Sequence, residues 1–186
     1  MNGVDAKDGC SYNVEVKIDE ELEIINMDAK QLANVYKRNL IVIKRQIDGL
    51  THEDSIIQPP FRGNCLNFVL GHMAASRQSV LKLLGEESLM SEEEIHRYTI
   101  EAEPILKDGD DVLKMEAIMN VMEESQGMFE ERISGMTSED LDKEIGEDEE
   151  KVTLGMRIEF LSWHEAYHTG QTEYLRQLAG TDDKVI

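Results

Sequence analysis

The chain has 186 residues, 39 of them Asp or Glu against 19 Lys or Arg, which gives a formal net charge of −20. That length builds one ordinary core, and the scarcity of aromatics (5%) and prolines (three) beside abundant Glu, Lys, Leu, Met and Ile argues against a β-sandwich and for an all-α fold. Phosphate backbones and anionic lipid surfaces would be repelled over most of such a surface; beyond solubility, no function follows from the charge itself.

Residues 1–27 read as an N-terminal arm. Val14, Val16 and Ile18 alternate with Glu15, Lys17 and Asp19, which suits a short strand, a docked arm or disorder. No apolar block of signal-peptide type opens the sequence, and no run of about 18 apolar residues follows. Cys10 and Cys65 lie in unrelated contexts and suggest no disulfide framework. A cytoplasmic protein is expected, its bundle domain spanning residues 28–186.

Asp28 is a plausible N-cap for a first long helix, with apolar residues recurring at Leu32, Tyr36, Leu40, Ile43, Ile47 and Leu50. Gln58, Pro59, Pro60, Phe61 and Gly63 break that pattern. A second helix then runs through Leu66, Val69, Leu70, Met73, Val80, Leu81 and Leu84 to a stop at Gly85. Ser91 and Glu94 form a capping box for a short helix over residues 92–98, before Pro104 and the turn Asp108, Gly109, Asp110. Val112, Met115, Met119, Met122, Phe129 and Ile133 make a third stripe, whose methionines read as core filling. After an acidic loop over residues 137–151, with a short helical turn begun by Thr137 or Ser138, Thr153 caps a fourth helix. Four amphipathic helices joined by unequal connections predict a four-helix bundle.

The fourth helix carries the chemistry. Leu161, His164, His168, Gln171, Leu175 and Leu178 follow one another at spacings of three and four, so His164, His168 and Gln171 are expected inside the bundle. Unpaired polar groups there would cost about 1–3 kcal/mol each. Hydrogen bonds to neighbouring helices could satisfy one buried imidazole, but two at i, i+4 point to a shared divalent ion, which requires them neutral.

For a third ligand His72 is best placed, because it borders the apolar stripe of the second helix next to Gly71, which would let another helix approach closely. His52, beside Glu53 and Asp54, and His96, among acids and Arg97, read as solvated, with His96 kept as a weaker candidate for lining the site.

Leu70, Gly71, His72, Met73, Ala74 and Ala75, together with His164, His168, Gly170, Gln171 and the closing residues 178–180, resemble the second- and fourth-helix signatures of the DinB-like (YfiT-like) superfamily. The likeness extends in helix order over residues 28–180. It implies a bundle with a long crossover connection and a divalent-metal site of three histidines, and it carries the ligand role onto His72, His164 and His168. Zinc or nickel is the expected ion, with manganese or iron as alternatives. The superfamily also implies metal-dependent transfer with a low-molecular-weight thiol cosubstrate, or hydrolysis, without choosing between them. The arm before Asp28 and the acidic connector over residues 86–111 depart from that pattern.

His164, Glu165 and His168 also spell the zinc-protease pattern H-E-x-x-H, which would make Glu165 a general base. The extended form fails, because Gln171 and Tyr174 stand where Gly and a third His would be needed. Glu165 therefore reads as a chance match or a residue orienting a ligand, and Gln171 and Tyr167 as further groups at the site, with Tyr174 as another hydroxyl donor. A zinc peptidase and a non-catalytic metal- or ligand-binding bundle are the competing readings. The expected partner is a small-molecule substrate, with homodimerisation through an exposed helix face left open; neither nucleic acid nor membrane is expected.

Overall fold

The computed structural model describes residues 27–146, 151–181 and 185. Its long helices are α1 (Ala29–Ile47), α3 (Leu66–Leu83), α5 (Met115–Ile133) and α7 (Leu154–Leu178), with short helices α2 (His52–Ser55), α4 (Glu92–Arg97) and α6 (Ser138–Leu141) between them. Caps explain most of the boundaries. Asp28 and Gln31 close a reciprocal capping box at α1, Ser91 and Glu94 do so at α4, and the Thr153 hydroxyl accepts from Met156 N at α7. Gly85 stops α3 at φ +76°, a conformation that costs glycine little. The arm carrying Val14, Val16, Ile18 and Cys10 lies outside the described residues, whereas Met27 packs against the core.

Helix α1 packs on α5 and α7, and α3 packs on the same two, so α1 faces α3 and α5 faces α7 across the bundle diagonals. The fold is all-α. A two-residue antiparallel ribbon, Glu144–Ile145 (β1) paired with Val152–Thr153 (β2), was not expected from the sequence. It leads the acidic loop back into α7. Among the described residues no helix is long and apolar enough to cross a membrane.

Two expectations are corrected. His52 is not a solvated residue: its side chain is 12% exposed, and its Nδ1 accepts from Met115 N at 3.3 Å. It supplies the cap that Lys114, the residue before α5, does not provide. The fully buried stripe of α7 is also not the one that holds the histidines. It runs through Ile158, Ser162, Glu165, Thr169, Thr172 and Arg176, one residue on from the expected seam and so turned by roughly 100°, although Leu161 and Leu175 of that seam are buried as well. His164, His168 and Gln171 are half-buried at its edge.

The reason is a charged layer between two apolar clusters. One cluster gathers around Leu70, Met73 and Ile118, the other around Tyr36, Phe129 and Ile158. Between them Arg77 of α3 donates to both carboxylate oxygens of Glu165, Nε to Oε2 at 2.6 Å and Nη2 to Oε1 at 2.9 Å. Its Nη1 donates to Met122 O at 2.7 Å and to Ser125 Oγ at 3.2 Å, and the guanidinium lies against the Tyr36 and Phe129 rings. With its remaining donors used in this way the buried charge is tolerated, and Glu165 takes the interior position of α7.

Candidate metal centre

His72 stands on α3 and His164 and His168 one turn apart on α7, so two packed helices bring all three rings together. The Nε2 atom of His164 is 3.3 Å from Nε2 of His72 and 3.1 Å from Nε2 of His168. Tetrahedral nitrogen ligands at 2.0–2.1 Å from an ion lie about 3.3–3.4 Å apart, so these separations fit a shared divalent metal.

The opposite ring edges fix the tautomers. His72 Nδ1 is 2.7 Å from the carbonyl oxygen of Tyr98, which has no hydrogen to give, so Nδ1 carries the proton and Nε2 is a bare lone pair. His168 Nδ1 donates to Gln171 Oε1 at 2.8 Å with the same result. Two lone pairs then face His164 Nε2, and a single proton there can serve only one of them. One cation serves all three. The Nδ1–H to carbonyl pattern is also what metal-binding histidines use to hold their rings in register. His164 Nδ1 is buried without a partner among the described residues.

Electrostatics favour the same state. Burial lowers the basicity of all three imidazoles from an ordinary value of 6.5. For His164 burial, with the neighbouring His168 and His72 adding to it, brings the pKa to about 4. The rings are therefore neutral near pH 7, as ligation needs.

Tyr98, the residue that closes α4, holds His72 in place. Its ring is fully buried against Gly71, where an added Cβ would come within 2.1 Å of Tyr98 Cδ1. Its hydroxyl donates to Asn67 Oδ1 at 3.0 Å and accepts from Leu113 N at 2.9 Å. The close approach expected at Gly71 is thus real, but what approaches is a ring from the connector rather than another helix.

The three Nε2 atoms look into a cavity of about 450 Å³, within the range of small-molecule sites. Gln171, Tyr167 and Tyr174 line it, as does Ile100 from the connector. The Tyr167 ring meets His168 edge-on at 5.3 Å between centroids. His96 is exposed and not among the lining residues. Glu165 is turned into the charged layer with both oxygens on Arg77, so it neither orients a ring nor reaches the cavity as a general base. The sequence reading missed the lining segment Phe61–Asn64, which had counted only as a helix break; an aromatic set between Pro60 and Gly63 was the available signal. It also missed Arg77, for which the signal was a cation inside the most apolar of the long helices, a full turn before the Lys82 of its last turn.

Together these features define a class: an all-α bundle with a three-histidine group, able to hold a metal ion, on the wall of a cavity. More particularly, the chain belongs to the DinB superfamily, whose family model matches residues 43–172. A crystal structure of a conserved protein from Enterococcus faecalis shares the fold at 15% identity, with a TM-score of 0.65 over 83% of this chain and 99% of that one. Among curated proteins none matches the chain.

Proposed function

We propose that the protein is a metal-dependent enzyme in which His72, His164 and His168 hold one divalent ion, zinc or nickel before manganese or iron, for thiol-dependent transfer or hydrolysis. The observation that carries this reading is the convergence of three Nε2 atoms, two of them on rings whose Nδ1 is committed to a carbonyl oxygen. Three neutral ligands leave a coordination position for a small molecule, as in catalytic rather than structural sites. Bound there, the ion would supply Lewis acidity that ionises a water or a thiol near neutral pH.

The protein's own groups set the rest. Tyr98 and Gln171 orient two rings, and burial keeps the rings neutral. Among the described residues no Asp or Glu lines the cavity, so they offer no carboxylate general base there. A low-molecular-weight thiol, once ionised, attacks without such a base, which favours transfer over amide hydrolysis.

The same lining supports a second reading, a non-catalytic metal- or ligand-binding bundle. The test is conjugation of a small thiol to a generic electrophile such as an activated aryl halide. Conjugation should require the metal and disappear in His164→Ala; full metal content with no turnover of thiol or activated ester would favour the second reading.

A further inference from the structure

In a chain with twice as many acids as bases, the cavity beside the three histidines has no carboxylate among the described residues that line it, and apart from the imidazoles Arg62 is the one charged side chain among them. Arg77, Arg97 and Arg132 are each held on a carboxylate. Arg62, in the segment between α2 and α3, is exposed and makes no hydrogen bond or ion pair with the described residues. Its planar fork of donors suits a carboxylate in two-point contact.

Around this cation the cavity wall is apolar and exposed. Phe61, Ile100, Tyr167 and Tyr174 all line it and are 62%, 77%, 59% and 69% exposed. Large apolar groups gathered around one opening, instead of scattered singly, mark a surface that a ligand covers. Phe61 is also braced: its ring lies against Gly63, 3.5 Å from where a Cβ would stand there. The polarity of the walls therefore selects for a ligand with an apolar body and a negative charge, and against cationic or strongly polar ones.

We propose that the cavity binds small organic carboxylates with an aromatic or branched aliphatic body, the carboxylate paired to Arg62 and the body covering Phe61, Ile100 and Tyr174. This rests on reading the cavity as the substrate site, but the contact with Arg62 does not need the metal. Arg62 is a specificity-determining residue, outside the group that would hold the ion.

The experiment is calorimetric titration of 3-phenylpropanoate and of its neutral amide into wild type, Arg62→Gln and Phe61→Ala, each in chelator-stripped and zinc-treated form. Wild type should bind the acid about fivefold more tightly than the amide in both forms, the scale of a solvent-exposed ion pair. Arg62→Gln should erase that preference and leave amide affinity unchanged, whereas Phe61→Ala should weaken both ligands alike. The proposal is overturned if neither probe binds, if the preference survives in Arg62→Gln, or if it occurs only in the zinc-treated protein, which would assign the carboxylate to the ion. Failure of the metal reading would show separately, as absence of bound zinc, without touching the comparison made in stripped protein.

Discussion

Removing the Glu165 carboxylate should damage the fold more than the histidine site. In Glu165→Ala, Arg77 would keep its charge with a side chain only 1% exposed, and its Nε and one of its two contacts at Nη2 would lose their acceptor. Leaving one member of a buried pair uncompensated costs about 3–5 kcal/mol. A domain of this size shifts by about 2–4 °C in Tm per kcal/mol, so a fall of roughly 6–20 °C is expected. Chelator-treated protein followed by far-UV circular dichroism, with urea unfolding beside it, isolates that effect from any bound metal. The double variant Arg77→Met with Glu165→Leu should recover most of the loss, because both charges leave together, although Met122 O and Ser125 Oγ still lose a donor. Glu165→Gln should retain metal content. A Tm within about 2 °C of wild type in Glu165→Ala would refute the structural role given to this pair. So would a double variant that loses as much as both single changes summed.

Gly71→Ala should destabilise by about 1–3 kcal/mol and weaken metal binding, since the new methyl collides with the ring of Tyr98, the residue whose backbone carbonyl accepts from His72 Nδ1. Gly170→Ala, where no atom lies within 4 Å, is the control and should be neutral or stabilising by about 0.5–1 kcal/mol; thermal melts and competitive zinc titration read both. Gln171→Ala should leave Tm unchanged yet lower metal affinity about 10- to 100-fold through loss of the acceptor for His168 Nδ1. The pH dependence follows from His164, which titrates near 4 when folded against 6.5 ordinarily, chiefly because it is buried. Between those values the unfolded chain binds the extra proton, so metal-free protein loses stability as pH falls from about 6.5 toward 4. The fall in Tm from pH 7 to pH 5 should be smaller in His164→Gln than in wild type, and equal falls would contradict the assignment.

The parts of this fold that were legible in the sequence are those fixed locally. Asp28, Ser91 with Glu94, Thr153 and Gly85 set helix ends by contacts within a turn, and the stripe from Leu32 to Ile43 needs only its own spacing. What was not legible depends on partners distant in the chain. Two stripes one residue apart on α7 are both compatible with its sequence, and the choice between them is made by Arg77 on another helix, which draws Glu165 inward and leaves His164 and His168 at the cavity edge. His52 was misjudged for the same reason: its acidic neighbours suggest solvent, but the uncapped start of α5, 63 residues away, claims its Nδ1. The three histidines were legible because two stand at i, i+4 and the third borders an apolar stripe. The groups that orient them divide along the same line, since Gln171 is one turn from His168 whereas Tyr98 reaches His72 from a connector.

The most direct measurement is metal content per chain in tag-free protein, by elemental analysis after saturation with zinc or nickel and exhaustive dialysis. Wild type should retain one divalent ion per chain and His72→Ala should lose it while keeping its helical spectrum. Wild type with no stoichiometric ion, or His72→Ala with undiminished binding, would contradict the three-histidine centre.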